Sequence, residues 1–195
     1  MIGVIVFVKN PELGKVKTRL AATVGDEKAL DIYNRLVAYT REVLLGSDAV
    51  DAIVYYSSFI DRKDEWSNVR FEKRLQVQGG LGDKITAAVQ ESFNDYEKII
   101  IIGSDCPQLT KVHIQDAIAY LNTNNVVIGP SKDGGYYLLG MDHYYPSLFQ
   151  DIPWSTETVA MDTLQQAEAL GLRTHQLEIL SDIDYEEDWI NYGFD

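Results

Sequence analysis

Short apolar runs alternate with amphipathic segments along the whole chain. The clearest run is residues 99–102, which are four consecutive isoleucines. Four residues are too few to span a membrane, and an apolar run without alternation predicts a strand that is buried on both faces. Further apolar runs predict strands at residues 2–8, 52–57, 71–78, 126–128, 136–141 and 174–180.

Helical periodicity fills the segments between these strands. Residues 26–45 carry apolar side chains at the three- and four-residue spacing of an amphipathic helix. Further helices are predicted at about residues 83–93, 110–121, 155–171 and 186–192, whereas residues 9–23 and 79–82 are predicted loops. The expected N-caps are Asp83, Thr110 and either Ser155 or Thr156.

The alternation of strands and helices predicts the fold class. It is typical of an α/β protein with three layers, in which helices cover both sides of a mostly parallel central sheet. The chain has 195 residues, which suits a single domain over residues 1–195. The sequence does not indicate an oligomeric state.

Composition and charge narrow the class of protein. A content of 46% hydrophobic and 24% charged residues is that of a soluble globular protein. No apolar run approaches the roughly 20 residues that cross a bilayer, so we expect no membrane span and a cytoplasmic location. The net charge of −13 argues against a nucleic-acid partner. Cys106 is the single cysteine, which excludes an internal disulfide and a cysteine-rich zinc site, and we expect it to be buried.

A basic loop follows the first predicted strand. It contains Gly14 and four cations within eleven residues of an otherwise acidic chain: Lys9, Lys15, Lys17 and Arg19. Lysine supplies a point charge and arginine a bidentate fork, both suited to phosphate. The spacing matches neither a Walker A loop nor a dinucleotide fingerprint. The alternative to a phosphate site is a solvated basic loop.

A second candidate loop is rich in glycine. Its residues of interest are Gln78, Gly79, Gly80, Gly82 and Lys84. Glycines allow a ligand to approach the backbone, and the following helix offers its positive end to a phosphate. A tight structural turn is the alternative.

Carboxylates follow two later strands. Asp105 lies three residues after the isoleucine run, where open α/β sheets bind their ligands. Asp182 and Asp184 could supply a second ligand to a divalent ion shared with Asp105, because magnesium prefers carboxylates together with substrate phosphates. The alternatives are a turn cap for Asp105 and a helix cap for one of the other two.

The last candidate element is residues 129–140, in which Asp133 precedes Gly134 and Gly135 between two strands. Asp133 could act as a base on an acceptor or shape its pocket. The alternative is a plain hairpin, since Asp-Gly is a strong hairpin signal.

Together these segments resemble the nucleotide-diphospho-sugar transferase superfamily. The resemblance extends over nearly the whole chain and is carried by residues 7–20, 103–107, 129–140, 152–157 and 181–184. Within that superfamily the sequence resembles small bacterial transferases labelled as glycosyltransferases of arsenosugar biosynthesis. It also resembles 2-phospho-lactate guanylyltransferase and, more distantly, molybdenum-cofactor guanylyltransferase.

This resemblance implies a transferase with a nucleoside-phosphate donor, a small-molecule acceptor and Mg²⁺ or Mn²⁺. The donor would bind the basic loop and the glycine-rich loop, with Lys17 and Arg19 stabilising the leaving group. The metal would bind Asp105 with Asp182 or Asp184, and the acceptor would bind Asp133, Gly134, Gly135 and Trp154. We expect glycosyl transfer from a nucleotide sugar. Because Ser104-Asp105-Cys106 departs from the Asp-x-Asp of many glycosyltransferases, nucleotidyl transfer is the alternative, and a non-catalytic nucleotide-binding module is a second.

Overall fold

The computed structural model describes residues 1–47 and 50–194. Seven strands within these residues form one sheet, in the order β3-β2-β1-β4-β6-β5-β7. Their bounds are β1 Ile2–Val8, β2 Asp51–Tyr56, β3 Phe71–Leu75, β4 Lys98–Ile102, β5 Val126–Pro130, β6 Tyr136–Met141 and β7 Thr174–Gln176.

The sheet is mostly parallel, as predicted. Strand β1 pairs in parallel with β2 and β4, β2 with β3, and β5 with β7, whereas β6 runs antiparallel to β4 and β5. The isoleucines of β4 are at most 4% exposed, because β4 lies between β1 and β6 with helices above and below. The antiparallel pair β5–β6 makes residues 131–135 a hairpin turn, which was one of the two predicted alternatives.

Helices cover both faces of the sheet, which confirms the three-layer fold. One face packs against α2 and α4, and the other against α3 and α5. A smaller cluster joins α1 to α2 around Leu20 and Ile32. The helices are α1 Thr18–Val24, α2 Asp26–Leu45, α3 Leu81–Ser92, α4 Lys111–Tyr120, α5 Val159–Ala169 and α6 Glu186–Tyr192, with a 3₁₀ helix at Pro146–Phe149. Across residues 1–47 and 50–194, no helix has the length and apolar character that crossing a bilayer requires.

Several predicted boundaries were wrong. The predicted loop 9–23 contains α1, because Leu20 is buried against α2. Strand β3 ends at Leu75 rather than at residue 78. Strand β7 ends at Gln176 rather than at residue 180. Beyond it, the Leu177 N–H donates to the Ile128 carbonyl at 2.8 Å, and an isolated bridge joins Leu180 to Ser131.

Two predicted N-caps were also wrong, whereas Thr110 precedes α4 as predicted. Helix α3 begins after Gly80. Asp83 lies in its first turn, where its carboxylate accepts the Gly80 N–H at 2.9 Å. Helix α5 begins after Thr158, because the preceding residues form a turn in which Ser155 has a φ of 65°. Neither Ser155 nor Thr156 is therefore its cap.

Candidate active site

The carboxyl ends of the parallel strands open into a cleft with a volume of about 1100 Å³. The cleft extends from Ser57 and Gln76, beyond β2 and β3, to α6. It is lined by ten of the predicted site residues: Lys9, Lys17, Arg19, Lys84, Asp105, Asp133, Gly135, Trp154, Asp182 and Asp184. Its walls do not include Gly14, Lys15, Gln78, Gly79, Gly80, Gly82 or Gly134. The fold therefore brings together the predicted cations and carboxylates, but only part of the predicted glycine set.

Lys17 lies at the centre of the charged groups. Its Nζ is 2.7 Å from Oδ2 of Asp105 and 3.4 Å from Oδ1 of Asp184. Burial alone would lower the pKa of Lys17, but the charges of Asp105 and Asp184 outweigh burial, so the pKa lies above its ordinary value. The ammonium group therefore stays charged at the floor of the cleft.

The backbone of Lys17 is strained. Its φ and ψ are both 46°, the left-handed conformation that residues with a Cβ rarely adopt, and it immediately precedes α1. Such strain commonly occurs where function fixes a side chain. Here it directs a lysine from the start of a surface helix into the cleft, where the side chain is only 8% exposed.

Arg19 extends the same charge network toward solvent. Its Nη1 is 2.9 Å from Oδ2 of Asp184, and its side chain is 59% exposed. Asp184 therefore joins a buried ammonium to an exposed guanidinium. A bound phosphate could recruit either cation, because both already lie beside the cleft.

Asp182 brings a buried carboxyl oxygen to the site. Burial and then the charge of Asp105 raise the pKa of Asp182 well above its ordinary value, although Lys17 acts in the opposite direction. Its Oδ1 is buried and has no hydrogen-bond partner among the described residues. A buried oxygen without a donor is the kind of atom that a cation or a bound ligand satisfies.

The carboxylates suit Mg²⁺ or Mn²⁺ in their chemistry, since hard cations prefer oxygen ligands. Residues 1–47 and 50–194 contain no ready-made group of three or more ligands. This arrangement fits an ion that takes one or two carboxylates and completes its shell with substrate phosphate and water. Asp105 together with Asp182 or Asp184 could hold such an ion.

The hairpin turn fixes Asp133 and the loop beside it. Oδ1 of Asp133 accepts hydrogen bonds from Ser131 Oγ at 2.6 Å and from the Gly135 N–H at 2.9 Å. Oδ2 makes no hydrogen bond within the described part of the chain. Gly134 has a φ of 88°, and a Cβ there would lie 1.8 Å from the Glu157 carbonyl oxygen. The absence of a side chain at Gly134 therefore lets the segment 152–158 pack directly on the turn.

The glycine-rich loop is largely occupied by contacts within the protein. A Cβ on Gly82 would lie 2.2 Å from Nε1 of Trp154, and one on Gly79 would lie 2.6 Å from the Asp83 carboxylate. Trp154 is a predicted acceptor-binding residue and Gly82 a predicted donor-binding residue, and the two are in direct contact. Of the predicted site residues in this loop, Lys84 lines the cleft, as does the neighbouring Leu81.

Three further residues that were predicted to bind the donor lie outside the lining of the cleft: Lys15, Gly14 and Gln78. Lys15 is exposed and forms an ion pair with Glu12 at 2.6 Å. Gly14 has a φ of 73° and lies near Asp26. Gln78 is exposed in the loop after β3. Their roles as donor ligands remain predictions.

Sequence reasoning missed the residues that position the basic loop. Tyr33 Oη accepts the Lys9 N–H at 2.7 Å and donates to the Lys9 carbonyl at 2.8 Å. The side-chain amide of Asn10 donates to the Phe59 carbonyl at 2.9 Å and accepts the Ser58 N–H at the same distance. By its spacing, Tyr33 is one of the apolar positions in the predicted helix 26–45, and no local pattern distinguishes it from the others. Cys106 is buried, as predicted.

The fold matches that of nucleotidyl- and glycosyltransferases with a mostly parallel α/β sheet. Residues 40–156 match the family described as "Uncharacterized protein conserved in bacteria (DUF2064)". The chain belongs to that family.

Three known proteins are similar to this chain in sequence or in structure. A crystal structure from Desulfovibrio desulfuricans G20, described as a candidate nucleotide-diphospho-sugar transferase, is 31% identical with a TM-score of 0.85 and covers 94% of this chain and 82% of that one. A 4-diphosphocytidyl-2C-methyl-D-erythritol synthase from Anaerococcus prevotii DSM 20548 is 12% identical over 99% of this chain and 94% of its own, with a TM-score of 0.64, and shares the fold. A 2-phospho-L-lactate guanylyltransferase from Methanocaldococcus vulcanius is 28% identical over 141 residues, 69% of this chain. This alignment spans 59% of the guanylyltransferase.

Proposed function

We propose that this protein is a divalent-metal-dependent transferase that binds a nucleoside-phosphate donor, most directly a nucleotide sugar, and transfers its glycosyl group to a small-molecule acceptor. The observation that carries the proposal is the Lys17 ammonium group between Asp105 and Asp184. It places a fixed positive charge beside carboxylates at the carboxyl edge of the sheet, where phosphate and metal would meet.

The donor phosphates would lie along the cations on one side of the cleft. These are Lys9, Lys17, Arg19 and Lys84. Charge on phosphate oxygens grows as the leaving group departs, and fixed positive charge stabilises that state more than the ground state. A divalent ion held by Asp105 with Asp182 or Asp184 would supply further neutralisation of the phosphates.

Glycosyl transfer needs one new bond and one broken bond. The acceptor hydroxyl oxygen bonds to the anomeric carbon, and the bond from that carbon to the phosphate oxygen breaks. The electron pair stays on the departing nucleoside diphosphate. The proton of the acceptor hydroxyl passes to Asp133, whose Oδ2 makes no hydrogen bond within residues 1–47 and 50–194.

Nucleotidyl transfer is the second candidate. It is supported by the similarity to proteins named guanylyltransferase and by the single aspartate of Ser104-Asp105-Cys106. In this version an acceptor phosphate oxygen bonds to the α-phosphorus of a nucleoside triphosphate. The bond to the β-phosphate oxygen breaks, and pyrophosphate leaves with the electron pair. The cations named above for the donor phosphates would stabilise the departing pyrophosphate.

The narrower assignment is also a proposal. We place the chain with the small bacterial glycosyltransferases of arsenosugar biosynthesis, on the motifs at residues 7–20 and 129–140. We propose further that residues 1–195 act as one domain, because the central sheet draws strands from both halves of the chain.

Product analysis separates the two chemistries. The protein is incubated with nucleotide sugars or nucleoside triphosphates, each with Mg²⁺ or Mn²⁺, and the products are resolved by chromatography. Free nucleoside diphosphate formed from a nucleotide sugar supports glycosyl transfer, and pyrophosphate formed from a triphosphate supports nucleotidyl transfer. Asp105→Asn should abolish either reaction, whereas Glu168→Gln, an exposed position of α5 outside the cleft, should leave it unchanged. Donor binding and turnover unaffected by Asp105→Asn would refute an enzymatic role for this centre.

A further inference from the structure

The segment 180–184 crosses between two turns at the carboxyl edge of the sheet. At the hairpin turn, the Lys132 N–H donates to the Leu180 carbonyl at 3.0 Å, and the Leu180 N–H donates to the Pro130 carbonyl at 3.2 Å. The chain then runs past the turn that follows β4. Residues 181–184 lie in no helix or strand, so individual contacts determine where their side chains lie.

Two backbone N–H groups of this segment donate to the turn after β4. The Ile183 N–H donates to the Asp105 carbonyl at 3.0 Å, and the Ser181 N–H donates to Oε1 of Gln108 at 2.9 Å. Asp182 lies between these two anchors. Any residue type at position 105 supplies the backbone carbonyl, whereas the bond from Ser181 depends on the side chain of Gln108. A substitution of Gln108 therefore removes one of the two anchors.

The burial of Ile183 orients its two neighbours. Ile183 is fully buried in the cluster that joins α1 to α2. Adjacent side chains of an extended segment point to opposite sides, and Asp182 and Asp184 both line the cleft. Asp184 has a further anchor, because its N–H donates to the Asp188 carboxylate at 3.0 Å. Loss of the bond at Ser181 would therefore displace Asp182 more than Asp184.

Asp182 also has the greater need of an anchor. The negative charge of Asp105 acts against it, and its Oδ1 has no hydrogen-bond partner in residues 1–47 and 50–194. The two oxygens of Asp184, in contrast, are paired with Lys17 and Arg19. Of the two carboxylates predicted to join Asp105 at the metal, Asp182 therefore keeps an oxygen available for the ion.

We propose that Gln108 is a positioning residue, which holds Asp182 beside Asp105 as a ligand of the divalent ion through the backbone of Ser181. This inference rests on the proposed function and extends it to a residue that does not line the cleft. Loss of a group that orients a metal ligand typically lowers metal affinity by about 10- to 100-fold. No local pattern indicates this role, because Gln108 resembles an ordinary polar residue of a turn.

The test measures the affinity of the protein for Mn²⁺ by electron paramagnetic resonance of the free ion, with and without UDP, GDP, CTP or GTP. Gln108→Met removes the acceptor and keeps the length of the side chain, whereas Gln108→Glu keeps an oxygen for the Ser181 N–H. Asn125→Leu is the matched control. The Asn125 side-chain oxygen also accepts a backbone N–H, from Arg173 at 3.0 Å, but it lies before β5 at the opposite edge of the sheet.

Gln108→Met should weaken Mn²⁺ binding by about 10- to 100-fold, and Gln108→Glu should recover most of the wild-type affinity. Asn125→Leu should lower the stability of the protein without changing its Mn²⁺ affinity. Turnover by Gln108→Met should need more Mn²⁺ but approach the wild-type rate at saturating Mn²⁺, because Gln108 does not contact the substrates. Thermal unfolding checks that each variant is folded. Gln108→Asn, which keeps the amide on a shorter side chain, takes the place of Gln108→Met if that variant does not fold.

A double-mutant cycle identifies the carboxylate through which Gln108 acts. In the Asp182→Asn background, Gln108→Met should have little further effect on Mn²⁺ affinity, whereas in the Asp184→Asn background it should keep its full effect. Equal Mn²⁺ affinity of the wild type and Gln108→Met would overturn the proposal. An equal loss of affinity in Asn125→Leu, or a full effect of Gln108→Met in the Asp182→Asn background, would overturn it as well.

Failure of the proposed function would give a different result. Mn²⁺ binding that no nucleotide strengthens, but that Gln108→Met weakens, would refute a nucleoside-phosphate donor and leave the positioning role standing. Mn²⁺ binding that a nucleotide strengthens, but that Gln108→Met does not change, would leave the proposed function standing and refute the role of Gln108. No Mn²⁺ binding under any of these conditions would contradict both.

Discussion

Nζ of Lys17 lies 2.7 Å from Oδ2 of Asp105, although the two residues are 88 positions apart in the sequence. The pair joins the start of α1 to the carboxyl end of β4. It brings the basic loop and the isoleucine strand, two separate features of the sequence, into one charged centre. The proposed chemistry depends on this centre more than on any other contact.

Two substitutions of Lys17 distinguish the effect of its charge on activity from the effect of its backbone conformation on stability. Lys17→Met and Lys17→Gly both remove the ammonium group, so transfer activity should fall by about 100-fold or more in each. Glycine adopts the left-handed conformation without steric cost, so the glycine variant should be more stable than the methionine variant by about 1 kcal/mol. Activity assays and urea unfolding measure the two effects. Lys28→Met, on the exposed face of α2, is the control, and activity retained in both Lys17 variants would contradict the assigned role.

Gly134→Ala should disrupt the acceptor side of the cleft. The new Cβ would lie 1.8 Å from the Glu157 carbonyl oxygen at a φ of 88°, so strain and displacement of the segment 152–158 should cost about 2–4 kcal/mol of unfolding free energy. Gly171→Ala is a matched control, because its φ is 67° with no atom within 4 Å, and it should cost only about 1 kcal/mol. Chemical denaturation gives both values. Equal losses would mean that the close approach at Gly134 does not constrain the turn.

The contact of Gly82 with Trp154 should appear as energetic coupling between the two loops. Gly82→Ala alone should destabilise the protein by about 1–3 kcal/mol through overpacking against the indole. Once Trp154→Ala has removed that indole, the second substitution should cost less, with a coupling of about 1 kcal/mol or more in a double-mutant cycle. Gly80→Ala, where the nearest neighbour of a Cβ is the Asp83 carboxylate at 3.6 Å, provides the reference. Strict additivity of Gly82→Ala and Trp154→Ala would argue against the contact.

The sheet and the residues of the charged centre could be predicted because short stretches of the sequence indicate them. Four consecutive isoleucines identify a central strand, and a carboxylate just beyond such a strand lies at the ligand-binding edge of the sheet. The basic loop also follows a predicted strand, and the carboxyl ends of neighbouring parallel strands share one edge. The hairpin turn, given as the alternative to a functional role for Asp133, could be predicted because Asp-Gly has a conformational preference of its own.

The parts that could not be predicted depend on contacts distant in sequence. The glycine-rich loop suggested an open approach for phosphate, yet Trp154 fills the space beside Gly82, and no local pattern connects positions 72 residues apart. Tyr33 has the periodicity of a core residue, but its hydroxyl binds the Lys9 backbone. The start of α5 was misplaced because two residues with suitable capping chemistry precede Thr158 in a turn.

The most direct test of a metal-phosphate centre is the stability of the protein with nucleotides and divalent ions together. Unfolding is measured with nucleoside diphosphates, triphosphates or nucleotide sugars, each with and without Mg²⁺ or Mn²⁺, for the wild type and for Asp105→Asn. At least one nucleotide at about a hundred times its Kd should add about 2.7 kcal/mol to the unfolding free energy of the wild type. This gain should require the metal and disappear in Asp105→Asn. No stabilisation by any nucleotide, or equal stabilisation of Asp105→Asn without metal, would contradict it.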